Sequence, residues 1–161
     1  DYKKFKNKIK TTSIIDLKSK RLLKTEIGMI ASKLAKDPKI RKFVSDYQKK
    51  IAQNPPKKYK GVCFDGRDIT YKIMPKADVK FFLKAKPSVR AKRRFIELKK
   101  LKHNINYQDV LKNLLLRDKS DFSRKHSPLK IVKDAIVVDN SNLTIKSCFN
   151  ILKKKIDDVI L

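Results

Sequence analysis

The stretch KGVCFDGRDIT, Lys60 to Thr70, decides how this chain is read. Its apolar run, Val62-Cys63-Phe64, is too short for a helix and continuously apolar, as a strand buried on both faces is. It stops on Asp65-Gly66-Arg67-Asp68. A plain turn asks for the glycine and one acid. It has no use for an arginine and a second acid directly beyond. In open α/β sheets ligands bind at the carboxyl ends of strands, so Gly66-Arg67-Asp68 stands where a binding group belongs.

Working outward, two more short apolar runs, Val79–Leu83 and Ala135–Val138, read as strands of the same kind. Helical spacing surrounds them. From Leu22 to Gln53, Leu23, Ile27, Ile30 and Leu34 recur at helical intervals, as do Ile40, Phe43, Val44, Tyr47 and Ile51. Asp37-Pro38 divides this run into two helices, with Asp37 as N-cap and Pro38 in the first turn of the second. NPPKKYK, Asn54 to Lys60, is a connector. Further helices are predicted over Ser88–Leu101, over Tyr107–Leu116 with Asn106 as cap, and over Ile145–Ile160. Residues 1–20 read as irregular or as a short strand around Ile14-Ile15. Strands alternating with helices predict an α/β fold with a parallel sheet.

The length, 161 residues, suits one domain, and a hydrophobic content of 40% is enough for a core. No apolar run reaches the roughly 20 residues of a membrane helix. The basic start, DYKKFKNKIK, has no apolar stretch behind it and does not read as a secretory signal. Cys63 and Cys148 are far apart and lie in apolar contexts, so both are expected to be buried free thiols in a reducing compartment. His103 and His126 are isolated, and no spacing suggests a metal site. The net charge is +27, from 43 Lys and Arg against 16 Asp and Glu. The lysines are spread along the whole chain. Such a charge fits either a polyanionic partner or a general lysine bias on a solvated surface.

Arg117, Asp121 and Arg124 are spaced i, i+4, i+7 and share one face if their helix continues. They form either a salt-bridged surface row or two phosphate clamps around an acid that accepts from a sugar hydroxyl. Arg90, Arg93 and Arg94 begin a second basic helix. Arginine in a chain that otherwise prefers lysine suits directional, bidentate grip on phosphate, although a solvated basic face reads the same way. Asp68 has the chemistry to read cytosine, whose exocyclic amine donates where uracil accepts.

Together these residues resemble bacterial cytidylate kinase, the (d)CMP kinase of the nucleoside-monophosphate kinases. The similarity covers Ile27 to Leu161. It rests on IASKLAKDPKIR (30–41), FDGRDIT (64–70), PKADVKFFLKAKPSVRAKRR (75–94), INYQDVLKNLLLRDKSDFSR (105–124) and AIVVDNSNLTI (135–145), in the family's order and spacing. The resemblance implies a three-layer, P-loop NTPase-like fold with a parallel sheet. It implies transfer of the ATP γ-phosphoryl group to CMP or dCMP with Mg²⁺. Ser32, Arg41 and Asp68 would contact cytosine, Arg67 and Arg124 the CMP phosphate, and Arg117 and Asp121 the sugar. Arg90 and Arg94 would belong to a lid over the ATP phosphates, within a lid region of about 90–124. Arg67, Arg90, Arg94 and Arg124 would be the groups that assist the transfer. No metal ligand is assigned in the chain. Residues 1–60 would be the remainder of the CMP-binding insertion and 61–161 the C-terminal part of the core. By analogy the protein would be cytoplasmic and monomeric when complete, with no membrane and no specific nucleic-acid partner.

Some departures accompany the resemblance. The family's Gly-rich phosphate loop is expected near its N-terminus, yet the three glycines here, Gly28, Gly61 and Gly66, lie in no such loop. The fold is therefore expected to be incomplete, without its first strands, leaving Val62–Phe64 and Val79–Leu83 without the strand between them. Thr70 stands where the family has glycine, and Lys76 where it has aspartate. The alternative function is a basic nucleotide- or nucleic-acid-binding protein without catalysis. It lacks an aromatic-studded strand or recognition helix.

Overall fold

The computed structural model describes residues 2–11, 22, 25–35, 37–55, 57, 59, 61–101 and 104–160. The chain forms two compact units, Asp1–Ile69 and Thr70–Leu161.

The first unit is helical. Helix α1 spans Tyr2–Thr11, α2 Thr25–Leu34 and α3 Pro38–Gln53. The break between α2 and α3 is the predicted one. Asp37 is extended (φ −76°, ψ 120°). Its Oδ1 accepts from the backbone N–H of Lys39 at 2.8 Å and of Ile40 at 3.2 Å. These bonds satisfy two of the donors that a helix start leaves open, and Pro38 needs none. Helix α1 corrects the irregular reading of residues 2–11. The helical period of this segment is obscured in sequence by its many lysines. Helix α1 meets α3 through Tyr2, whose ring sits edge-on to Phe43 with centroids 6.5 Å apart. The Tyr2 hydroxyl donates to Asp37. Ile14-Ile15 lies outside the described residues.

Val62–Phe64 forms no strand, which corrects the reading of the opening stretch. A strand exists through its ladder, and among the described residues the sheet contains two other segments only. Val62 and Cys63 are exposed as a result. The two thiols are free, but neither is buried: Cys63 is exposed and Cys148 half-buried.

A π-helical turn, Ile69–Ile73, leads into the second unit. There β1 (Phe81–Lys84) and β2 (Ile136–Asp139) pair in parallel, Phe81 opposite Ile136 and Lys84 opposite Asp139. Both strands begin later than predicted. Ala135 N–H bonds Val132 O at 3.1 Å in a turn, so β2 starts at Ile136. Helices α4 (Pro87–Lys100) and α5 (Tyr107–Ser123) pack together around Ala91, Leu98 and Val110. Phe95 and Tyr107 meet edge-to-face at 6.2 Å beside them. Asn106 caps α5 as predicted, accepting from Asp109 N–H at 2.8 Å. The helix runs seven residues past the predicted Leu116. The apolar stripe stops there, but no breaker follows, and backbone bonding continues to Arg124 N–H on Ser120 O. Helix α6 (Ile145–Ile160) matches its predicted span.

Candidate functional site

In the first unit, Arg41 projects from α3 and Asp68 lies within the opening stretch, just past Gly66. Arg41 Nη2 donates to Asp68 Oδ2 at 2.6 Å. The side chains are 16% and 7% exposed. In that environment a carboxylate and a guanidinium interact more strongly than at the surface, and each depends on the other for compensation. Arg41 Nε is also buried, with no hydrogen-bond partner among the described residues. Arg67 precedes Asp68 and is half-buried. The backbone of Ser32 lies on α2; its side chain lies outside the described residues.

Gly66 is needed here for a different reason than a turn. No glycine of the described residues has positive φ. A Cβ at Gly66 would meet Ile69 Cγ1 at 2.8 Å and Cδ1 at 3.0 Å. Ile69 is itself buried, so the glycine clears room for a packed side chain directly after Asp68.

In the second unit α5 continues far enough to carry Arg117 and Asp121, and Arg124 is its C-cap. Asp121 is buried at 4% exposure. Arg124 Nη1 reaches Asp121 Oδ1 at 3.3 Å, and the exposed Arg117 lies 3.9 Å from Oδ2. A solvated surface row would expose its acid; this one buries it. Beyond α5, Arg124 Nε donates to Ser127 O at 2.6 Å. Leu129 N–H donates to Asp121 O at 2.7 Å.

The basic helix α4 is engaged at three arginines. Arg90 bonds Asp118 of α5 in a two-point fork, at 2.6 and 3.0 Å. Arg94 bonds Glu97 of its own helix at 2.8 Å. Arg93 grips the loop after β2, donating to Asn140 Oδ1 and Asn140 O, each at 2.7 Å. Asp118, Ser127 and Asn140 had no sequence signal as partners, because each lies far in sequence from the element it serves or bonds through its backbone. Asp139, at the end of β2, has its carboxyl held below the usual range, first by the Ser141 hydroxyl and then by the Ser141 N–H. Among the described residues no three His, Cys, Asp or Glu side chains converge to hold a metal ion. No helix among them is long and apolar enough to cross a membrane.

The cytidylate kinase family model matches residues 4–158. The chain belongs to the cytidylate kinase family. The match takes in residues before Ile27, where the resemblance began. Cytidylate kinase of Bartonella tribocorum is 41% identical over 135 residues, covering 84% of this chain and 61% of the relative. Cytidylate kinase of Fervidobacterium nodosum is 40% identical over 135 residues, covering 84% and 58%. That of Thermosipho melanesiensis is 38% identical over 133 residues, covering 83% and 59%. The chain thus spans about three-fifths of the length of these curated relatives. Membership of the cytidylate kinase family carries the nucleoside-monophosphate kinase fold. A helix-rich chain with a small parallel sheet does not conflict with it.

Proposed function

We propose that this chain acts in phosphoryl transfer from ATP to CMP or dCMP, giving ADP and CDP or dCDP. The observation that carries the reading is the largely buried Arg41–Asp68 pair, 2.6 Å apart. It offers guanidinium donors beside a carboxylate acceptor. Cytosine presents the complementary edge, with a donating amine beside accepting ring nitrogen and carbonyl. Uracil presents an acceptor where the carboxylate lies, so the pair favours one pyrimidine over the other.

In this reading Ser32, Arg41 and Asp68 take the base, Arg67 and Arg124 the phosphate of CMP, and Arg117 and Asp121 the sugar. Arg90 and Arg94 serve a lid region of about 90–124 over the ATP phosphates. Lid closure brings positive charge to a transition state whose charge is spread over phosphoryl oxygens. Arg90 is forked onto Asp118, so this role requires the fork to be exchanged for phosphate oxygens, which take the same two-point geometry. Mg²⁺ belongs to the nucleotide, where it usually keeps one or two carboxylates plus phosphates and water. Residues 1–60 serve CMP binding and 61–161 the kinase core. In this reading the complete protein is a monomer of the cytoplasm.

Calorimetry with CMP, UMP and cytidine tests the reading. CMP is expected to bind more tightly than either competitor. Equal affinities for CMP and UMP would remove the base-reading pair. A coupled assay with CMP and MgATP, following ADP, tests transfer itself.

A further inference from the structure

The segment after α5 is fastened at several points. Ser127 is the one non-glycine residue of positive φ among the described residues, at 53°. It is also buried, at 5% exposure. A serine in the left-handed region is uncommon and persists only where its surroundings over-determine it. The surroundings here do so. Lys72 Nζ donates to the Ser127 hydroxyl at 2.7 Å. Tyr71 OH donates to the next carbonyl, Pro128 O. Leu129 N–H returns to Asp121 O at 2.7 Å.

The consequence falls on Arg124. The left-handed turn aims the Ser127 carbonyl at Arg124 Nε, 2.6 Å away. Asp121 holds Nη1 from another side at 3.3 Å. A guanidinium fixed at two of its nitrogens has lost the rotamer freedom that a long side chain otherwise gives up on binding. We propose that Ser127, held by Lys72, is a positioning residue that orients the Arg124 guanidinium for the phosphate of the bound nucleotide. The inference rests on the reading above that Arg124 meets that phosphate. It adds that the turn, and not the arginine alone, sets affinity for the phosphate.

The test is calorimetric binding of CMP and of cytidine to the full chain, wild type and three variants. Ser127→Val disfavours positive φ and is expected to weaken CMP about tenfold, the worth of one well-aligned charge-assisted hydrogen bond. Ser127→Gly reaches the same φ but loses the hydroxyl, and Lys72→Met loses its donor. Both are expected to weaken CMP about threefold, the scale of one ordinary hydrogen bond. Cytidine, which has no phosphate, is expected to bind all three variants as it binds wild type. Equal loss of CMP and cytidine, or Ser127→Val no worse than Ser127→Gly, overturns the proposal. If circular dichroism finds Ser127→Val unfolded, the exposed Lys72 carries the decision, and unchanged CMP affinity in Lys72→Met overturns it. A wild type that binds CMP and cytidine equally defeats the functional reading itself, which separates that failure from failure of the turn.

Discussion

Arg41 and Asp68 stand 27 positions apart in sequence and 2.6 Å apart in space, with both side chains largely buried. Neither can be changed without leaving the other short of compensation. Asp68→Asn keeps the shape and removes the charge. It is expected to cost about 3 kcal/mol of stability, the lower end for breaking a buried ion pair. It is also expected to narrow the preference for CMP over UMP, because an amide can turn a donor toward uracil. Urea melts and paired CMP and UMP titrations check both. Selectivity that survives the substitution would take Asp68 out of base reading.

Gly66→Ala places a methyl 2.8 Å from Ile69 Cγ1, a distance that side-chain carbons do not tolerate. Ile69 is buried and β-branched, so it has little freedom to step aside. Overpacking of this kind costs about 1–3 kcal/mol. Because Ile69 directly follows Asp68, the strain is expected to weaken CMP as well. The double variant Gly66→Ala with Ile69→Val removes one of the clashing atoms and is expected to recover part of both losses. No recovery in thermal melts would mean the glycine serves something other than clearance.

The sequence made much of this legible, and the physics explains where it stopped. Helix limits near Asp37-Pro38 and Asn106 were readable because caps are local chemistry. Ile145–Ile160 was readable because its stripe is strong. Helix α5 was read short because the apolar period ends at Leu116, while backbone hydrogen bonding does not depend on it. Val62–Phe64 was read as a strand because composition reports what a segment tolerates, whereas pairing depends on a neighbour. That Arg117, Asp121 and Arg124 share one helix face was legible from their spacing, whereas the burial of Asp121 was not. The Arg90–Asp118 fork was not, because 28 residues separate its members. Arg93 reaches the side chain and backbone of Asn140, 47 residues on, and Arg124 bonds the Ser127 backbone carbonyl, which no side-chain pattern announces.

Acid is expected to loosen the structure at specific places. The Asp37 carboxyl is held below its usual 3.8, first by the Tyr2 hydroxyl and then by the Ile40 N–H. Asp134 is lowered chiefly by the Lys80 ammonium, and Asp139 chiefly by the Ser141 hydroxyl. A carboxylate whose folded pKa is depressed contributes stability that is present above its unfolded value. That stability is lost as pH falls through the folded value. Melting temperature is therefore expected to be insensitive to these three groups above about pH 5 and to fall below 3.8. Asp37→Asn should flatten part of that acid slope. An identical slope in the variant would assign the acid sensitivity elsewhere.

Among the described residues β1 pairs along one edge only, with β2. In this register Phe81 and Leu83 share a face with Ile136 and Val138, and Phe82 shares the other with Val137. Leu83 is 49% exposed and Val137 46%, so both faces show apolar side chains to solvent. Parallel sheets are normally covered on both faces, and two strands alone are marginal. An unpaired edge with apolar faces is a template for another chain. The isolated 161-residue chain is thus expected to melt without a sharp cooperative transition and to scatter light increasingly with concentration. Leu83→Lys puts a charge beside that edge and should suppress the scattering, while a distant Lys100→Glu should not. A reversible, concentration-independent melt of the unaltered chain would contradict the expectation and mean that the exposed sheet is covered in solution.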